Sequence, residues 1–202
     1  MSATAPDRRA LVGTVVRLDP LTPEDAAALF AALDDPRVWA SGYAGGPAGR
    51  PADVAAMRGW IAGLLAPTDR VPYVVRLVDA GTVVGTTTLG DLDLANERAH
   101  LGWTAYAPAV WGTGVNPECK LLLLGHAFED CGFGRVKIQT AAINERSQAA
   151  IAKLGAIREG VLRRHIRRAD GTFRDTVVFS VLREEWPGVR AGLPARVREH
   201  RV

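Results

Sequence analysis

The stretch AVWGTGVNPECKLLLLGHAF, Ala109 to Phe128, constrains the fold more than any other part of the chain. Two glycines one residue apart, then Asn-Pro, then an apolar run all favour a helix start. Asn116 suits the N-cap, where its side-chain oxygen can accept an amide of the first turn. Pro117 suits the first helical position, where a missing N–H costs nothing. Leu121, Leu124, Phe128 and Cys131 recur at helical spacing, and Gly132 supplies a stop. Gly112 and Gly114 let the backbone turn tightly with no Cβ in the way. The expected product is a row of bare N–H groups at the positive end of a helix dipole, an anion site suited to a phosphate.

The chain has 202 residues, enough for one domain with a real core. Hydrophobic residues at 48% and charged residues at 23% are ordinary for a globular protein. No apolar run is long enough to span a bilayer, and MSATAPDRR lacks the hydrophobic region of a signal peptide, so a cytoplasmic location and no membrane partner are expected. Cys119 and Cys131 have neither metal nor redox spacing and read as reduced, packed thiols, with no metal expected. The net charge of +3 spreads over many arginines, concentrated only in RRHIRR (Arg163 to Arg168) and the tail RAGLPARVREHRV. No nucleic-acid reading motif accompanies them, so no nucleic-acid partner is expected.

Along the chain, residues 11–21 read as a strand and TPEDAAALFAALDD as a helix capped by Thr22. A Gly/Pro-rich loop spans residues 39–51, and a second helix covers roughly 52–65. Two β-rich runs surround Asp79-Ala80-Gly81, a hairpin signal, and residues 97–108 form a third. After the glycine loop and long helix come a strand at 135–142 and a short helix with Asn144 as cap and Gly155 as stop. Two strands then flank Ala169-Asp170-Gly171. The order β-α-α-β-β-β-α-β-α-β-β gives an α/β fold with a mixed sheet. Residues 1–10 are expected to be a flexible N-terminus, 11–186 the single domain, and 187–202 a C-terminal tail, as a surface appendage or part of a dimer contact.

A P-loop would need a Lys beside the glycines, and a dinucleotide fingerprint a third glycine where Pro117 stands. Neither fits. The sequence instead resembles the GNAT superfamily of acyl-CoA-dependent N-acyltransferases, in the branch that includes the ribosomal-protein N-terminal acetyltransferases. The resemblance spans about Leu11 to Trp186. It is carried by the Gly-aromatic strand, the glycine loop and helix, Asn144 and Ser147 of the Asn-x-x-Ser helix, and KLGAIREGVLR. One departure is Ala109, where the superfamily has Gln or Arg; modest weakening of cofactor binding is expected from it.

The resemblance implies a central, mixed, mostly antiparallel sheet with splayed middle strands, flanked by about four helices. It implies acetyl-CoA or another acyl-CoA such as succinyl-CoA as cofactor. The cofactor-binding residues would be Trp103, Thr104 and Tyr106, then Trp111, Gly112, Thr113, Gly114, Val115 and Asn116, and finally Asn144 and Ser147. Backbone N–H groups near Trp103 to Tyr106 would polarise the thioester carbonyl. Asn144 would bind pantetheine or be a plain helix cap. Ser147 would assist the leaving thiolate or simply face solvent. His100 stands where many relatives carry Glu and suits a general base, or else is a half-exposed strand residue or substrate contact. Asp91, Asp93 and Glu97 could orient it or bind a cationic substrate, and His165 is a second candidate base.

Trp39 and Tyr43, with Asp91, are the expected substrate contacts, although Trp39 equally suits a core anchor. Arginines in RRHIRR could pair with a succinyl carboxylate. The acceptor would be a primary amine of a protein N-terminus, a lysine or a small molecule. A CoA-binding regulatory module without turnover is the alternative, and a homodimer is expected from family habit.

Overall fold

The computed structural model describes residues 3–40, 42–168 and 170–199. Residues 1 and 2 of the expected N-terminal segment, Ser41 of the glycine-rich loop, Ala169 of the expected turn and residues 200–202 of the expected tail lie outside them.

Eight strands form one sheet in the order β1-β2-β3-β4-β5-β6-β8-β7. They are β1 (Leu11–Val12), β2 (Val16–Pro20), β3 (Val71–Leu77), β4 (Val83–Asp93), β5 (Arg98–Tyr106), β6 (Arg135–Ala141), β7 (Ile157–Arg167) and β8 (Phe173–Leu182). Every neighbouring pair is antiparallel except β5 and β6, which run parallel. The helices are α1 (Ala26–Leu33), α2 (Pro36–Ala40), α3 (Val54–Leu65), α4 (Val115–Gly125), α5 (Glu145–Leu154) and α6 (Trp186–Glu199). The fold class is the expected one, with six helices rather than about four.

Strand alternation explains the two cores. Tyr73 and Val75 join α4 and α6 in one cluster, while Val74 between them joins α1, α2 and α3 in the other. Trp39, expected as a substrate contact, belongs to this second core. It is 1% exposed, and its indole N–H donates to the Leu33 carbonyl at 2.9 Å. That burial removes it from any acceptor surface.

The expected strand at 11–21 is interrupted. Its turn is held by Glu118 of α4, whose carboxylate accepts the backbone N–H groups of Thr14, Val15 and Val16 at 2.6–2.8 Å. The segment expected to be a flexible N-terminus makes packing contacts at residues 3 and 4. Ala3 is buried, and the Thr4 N–H donates to the Cys131 carbonyl at 2.8 Å. Residues expected as a tail form α6, because Val189, Leu193 and Val197 recur every four residues and bury against the core. Both thiols, Cys119 and Cys131, are buried and unpaired, and burial raises them to about 12 and about 11. Among the described residues no helix is long and apolar enough to cross a membrane.

Candidate active site

β5 and β6 pair only from Arg98 to His100 against Arg135 to Lys137. Beyond that point β5 has no ladder partner on this side, and a slot opens between the strands. On its other side β5 carries a bulge. Thr86 faces Ala105 and Thr88 faces Gly102, so Trp103 and Thr104 together oppose Thr87. Trp103 sits at φ +48°, a left-handed conformation that a bulky residue adopts only under strain. Its surroundings hold it there: the Tyr43 hydroxyl donates to its carbonyl at 3.1 Å, and the Arg70 guanidinium lies 4.5 Å from its ring centroid.

At the closed end of the slot the Trp103 ring packs 4.7 Å from the ring of His100, which is 3% exposed rather than half-exposed. His100 Nδ1 is 3.1 Å from Asp91 Oδ2, and Lys137 Nζ donates to the same oxygen at 2.9 Å. His100 Nε2 is buried with no hydrogen-bond partner. The ring lies over Gly102 so closely that a Cβ there would come 2.5 Å from Nε2. Burial lowers the His100 pKa, against the opposing pull of Asp91, and so favours the neutral imidazole. The bonds from His100 and Lys137 hold the Asp91 carboxyl far below its usual range.

At the open end, the glycine loop differs from expectation in one detail. α4 begins at Val115 with Gly114 as its N-cap, so Asn116 and Pro117 occupy the second and third helical positions. Pro117 is tolerated because the first-turn amides have no intrahelical partner anyway. Thr113 takes over the capping, its hydroxyl accepting from the Val115 N–H at 3.4 Å and donating to the Val110 carbonyl at 2.7 Å. Gly112 has φ +79° and nothing within 4 Å of where a Cβ would stand, whereas Gly114 is right-handed. The Gly112 and Gly114 amides donate to no protein acceptor among the described residues.

A family model for the acetyltransferase (GNAT) domain matches residues 16–157. The chain belongs to the GNAT acetyltransferase family. It is 32% identical over 108 residues to YdaF of Bacillus subtilis, provisionally named a ribosomal N-acetyltransferase, a match covering 54% of this chain. That match covers 58% of the relative, as does the match to a second Bacillus subtilis protein, so the chain spans under two thirds of these relatives. Among solved structures, a GCN5-related N-acetyltransferase from Brucella melitensis superposes with a TM-score of 0.88 at 26% identity, covering 96% of this chain and 87% of that one. Mycobacterium smegmatis RimJ in complex with CoA-disulfide gives 0.76 at 26%, covering 96% and 97%.

The other residues expected at the site divide around this slot. Asn144 caps α5, its Oδ1 accepting from the Ser147 N–H at 3.0 Å, while its Nδ2 makes no protein hydrogen bond among the described residues. Cap and cofactor contact are therefore compatible. Trp111 donates its indole N–H to the Tyr106 carbonyl at 2.9 Å, and Arg146 stacks 3.5 Å from its ring centroid, bracing the end of β5 against the start of α5. Thr104 and Tyr106 turn towards α4, leaving mainly their backbone for the slot. Arg163, Arg164, His165 and Arg167 of RRHIRR lie exposed on β7, two strands from β6 at the outer edge, with Arg168 just past its end.

Some residues at the site escaped the sequence reading, among them Lys137 and Gln139 of β6. Two buried polar atoms with no protein partner among the described residues stand on the strands that border the slot, His100 Nε2 on β5 and Gln139 Oε1 on β6. Native interiors rarely leave such atoms unpaired, so both fit a polar ligand. With the bare loop amides and the unpaired edge of β5, they suit a molecule that is anionic at one end and amide-bearing along its arm, as acyl-CoA is. The side chain of Lys137 carried no motif that could have announced it.

Proposed function

We propose that the protein is an acetyl-CoA-dependent N-acetyltransferase acting on a primary amine, with His100 as its general base. The carrying observation is His100, buried where β5 leaves β6, bonded to Asp91 through Nδ1 and presenting an unpartnered Nε2 beside the bulge. Within the loop from Gly112 to Asn116, the Gly112 and Gly114 amides, which donate to no protein acceptor among the described residues, would hold the diphosphate, and Asn144 Nδ2 the pantetheine arm. When bound, acetyl-CoA supplies the acetyl group as an activated thioester.

The chain's own groups do the rest. His100 Nε2 takes a proton from the amine through one water, since the ring itself is covered by Trp103. Asp91 fixes the imidazole so that Nε2 is the nitrogen free to accept, as a second-layer carboxylate does for histidine elsewhere. Amides of the Trp103 bulge offer donors to the acyl oxygen. Ser147 Oγ, half-buried and without a protein partner among the described residues, would hydrogen-bond the departing sulfur. An amine of a ribosomal protein is the favoured acceptor, following the name of the Bacillus relative, and its N-terminus is the amine to test first. Acetyl-CoA is favoured over succinyl-CoA, because the RRHIRR arginines lie on the far edge strand.

Thiol release from acetyl-CoA, measured against peptides with free or blocked N-termini, tests this reading. Release that requires the free amine, with kcat about 100-fold lower in His100→Ala and unchanged CoA affinity, supports it. CoA binding without release for any amine would instead leave a binding module.

A further inference from the structure

Under the bulge, on the α4 side of the sheet, lies a charge with no role so far. Lys120 stands in the second turn of α4 and is 7% exposed. Its Nζ donates to Thr104 Oγ1 at 3.3 Å, and no carboxylate pairs with it among the described residues. Thr104 Oγ1 is in turn 2.9 Å from Thr87 Oγ1 and 3.3 Å from the Gly102 carbonyl. Lysine, threonine and threonine thus tie α4 to β5 at the bulge and to β4 opposite it. Burying an unpaired ammonium is costly, and a leucine or methionine would fill the same space without that cost. Burial brings Lys120 down to about 8.

We propose that Lys120 is a positioning residue of the acetyl-transfer site, fixing the Trp103–Thr104 bulge through the Thr104 hydroxyl and placing positive charge beneath the strand that carries His100. The charged groups facing His100 are Asp91 on β4, Lys137 on β6 and Lys120 on α4. Both lysines oppose protonation of the imidazole, and Asp91 favours it. Facing Lys120 are the Thr104 and Thr87 hydroxyls and the Cys119 thiol of its own helix. Glu118, next to it in sequence, is turned towards the β1–β2 turn. The part of the inference that concerns proton transfer rests on His100 being the base; the part that concerns the bulge does not.

The test compares Lys120→Met and Thr104→Val with the parent protein. In the ligand-free proteins the His100 imidazole is titrated by NMR, and thermal unfolding is followed. With acetyl-CoA and an amine peptide, kcat and KM are measured separately. Lys120→Met should unfold at the same or a higher temperature and keep KM for acetyl-CoA within about twofold, but lose about tenfold in kcat. Its His100 should titrate at higher pH, because one opposing charge is gone. Thr104→Val should lose kcat comparably without moving that titration. The proposal is overturned if Lys120→Met keeps its kcat and leaves the His100 titration in place. It is equally overturned if kcat falls only together with unfolding temperature and CoA binding, which would make Lys120 part of the scaffold. Full activity in His100→Ala would remove the base reading alone, while the kcat of Thr104→Val would still decide the role at the bulge.

Discussion

Two histidines are buried among the described residues, each with Nδ1 against an aspartate, and they differ at the other nitrogen. His126, in the π-helical turn His126–Asp130 that continues α4, is 2.8 Å from Asp130 through Nδ1. Its Nε2 meets Cys131 Sγ at 3.7 Å and Asp7 Oδ1 at 3.8 Å, under the N-terminal segment. His100 has the same Asp partner at Nδ1 and nothing at Nε2. A satisfied buried imidazole completes a core, whereas an unsatisfied one stores an unmet bond that a ligand or water can meet. The site is marked less by its residue types than by what the fold leaves open.

Substitution of both histidines separates them most sharply. His126→Ala should keep kcat within about twofold while costing about 1–3 kcal/mol of stability in denaturant melts, for the loss of a satisfied buried network. The His100→Ala profile is the reverse, with its loss in kcat. Equal kcat losses in the two variants would break the distinction.

A smaller effect comes from Gly102→Ala, whose Cβ would collide with His100 Nε2. About a tenfold fall in kcat, with calorimetric CoA affinity retained, would show that the placement of this nitrogen limits the rate. An unchanged kcat would mean that the ring can move freely.

The mildest test is pH. The folded-state pKa of His100 is lowered, so the unfolded chain binds the extra proton first as pH falls. Its neutral-form contribution to stability is complete above the ordinary value of about 6.5 and declines as pH drops below that. The acid limb of kcat/KM should lie below about 6.5, because the folded-state pKa of His100 is lowered, and should move further down in Asp91 variants, where Lys137 and Lys120 act on the ring without the opposing carboxylate. A kcat/KM profile with an acid limb that is the same in His100→Gln as in the parent would remove His100 from proton transfer.

How much of this could be read from the residues alone depends on how local each feature is. Asn144 and Gly155 bound α5 as read, because cap and stop are written in adjacent residues. The proximity of Asp91 and His100 was also legible, since both lie near the same end of two sequential antiparallel strands. The bulge at Trp103 was not: it depends on how β4 and β5 register, and a one-residue offset has no signature in composition. Lys120 reads as an ordinary polar helix residue until α4 is laid against Thr104. WPGVRAGLPARVRE has two glycines and two prolines and reads as a tail, yet tertiary burial of Trp186, Val189 and Leu193 overrides propensity and makes it α6.

The grip of Glu118 on Thr14, Val15 and Val16 spans 102 to 104 residues of chain. Gly13 makes the closeness possible, since a Cβ there would meet the carboxylate at 2.4–2.8 Å. The helix that presents the bare amides is therefore anchored by one of the most distant contacts along the polypeptide. Contacts of such separation pay their loop-closure entropy late in assembly. A nascent chain can form the hairpin of β3 and β4 long before it can present a finished cofactor cradle, so binding competence reports on completion of the whole domain.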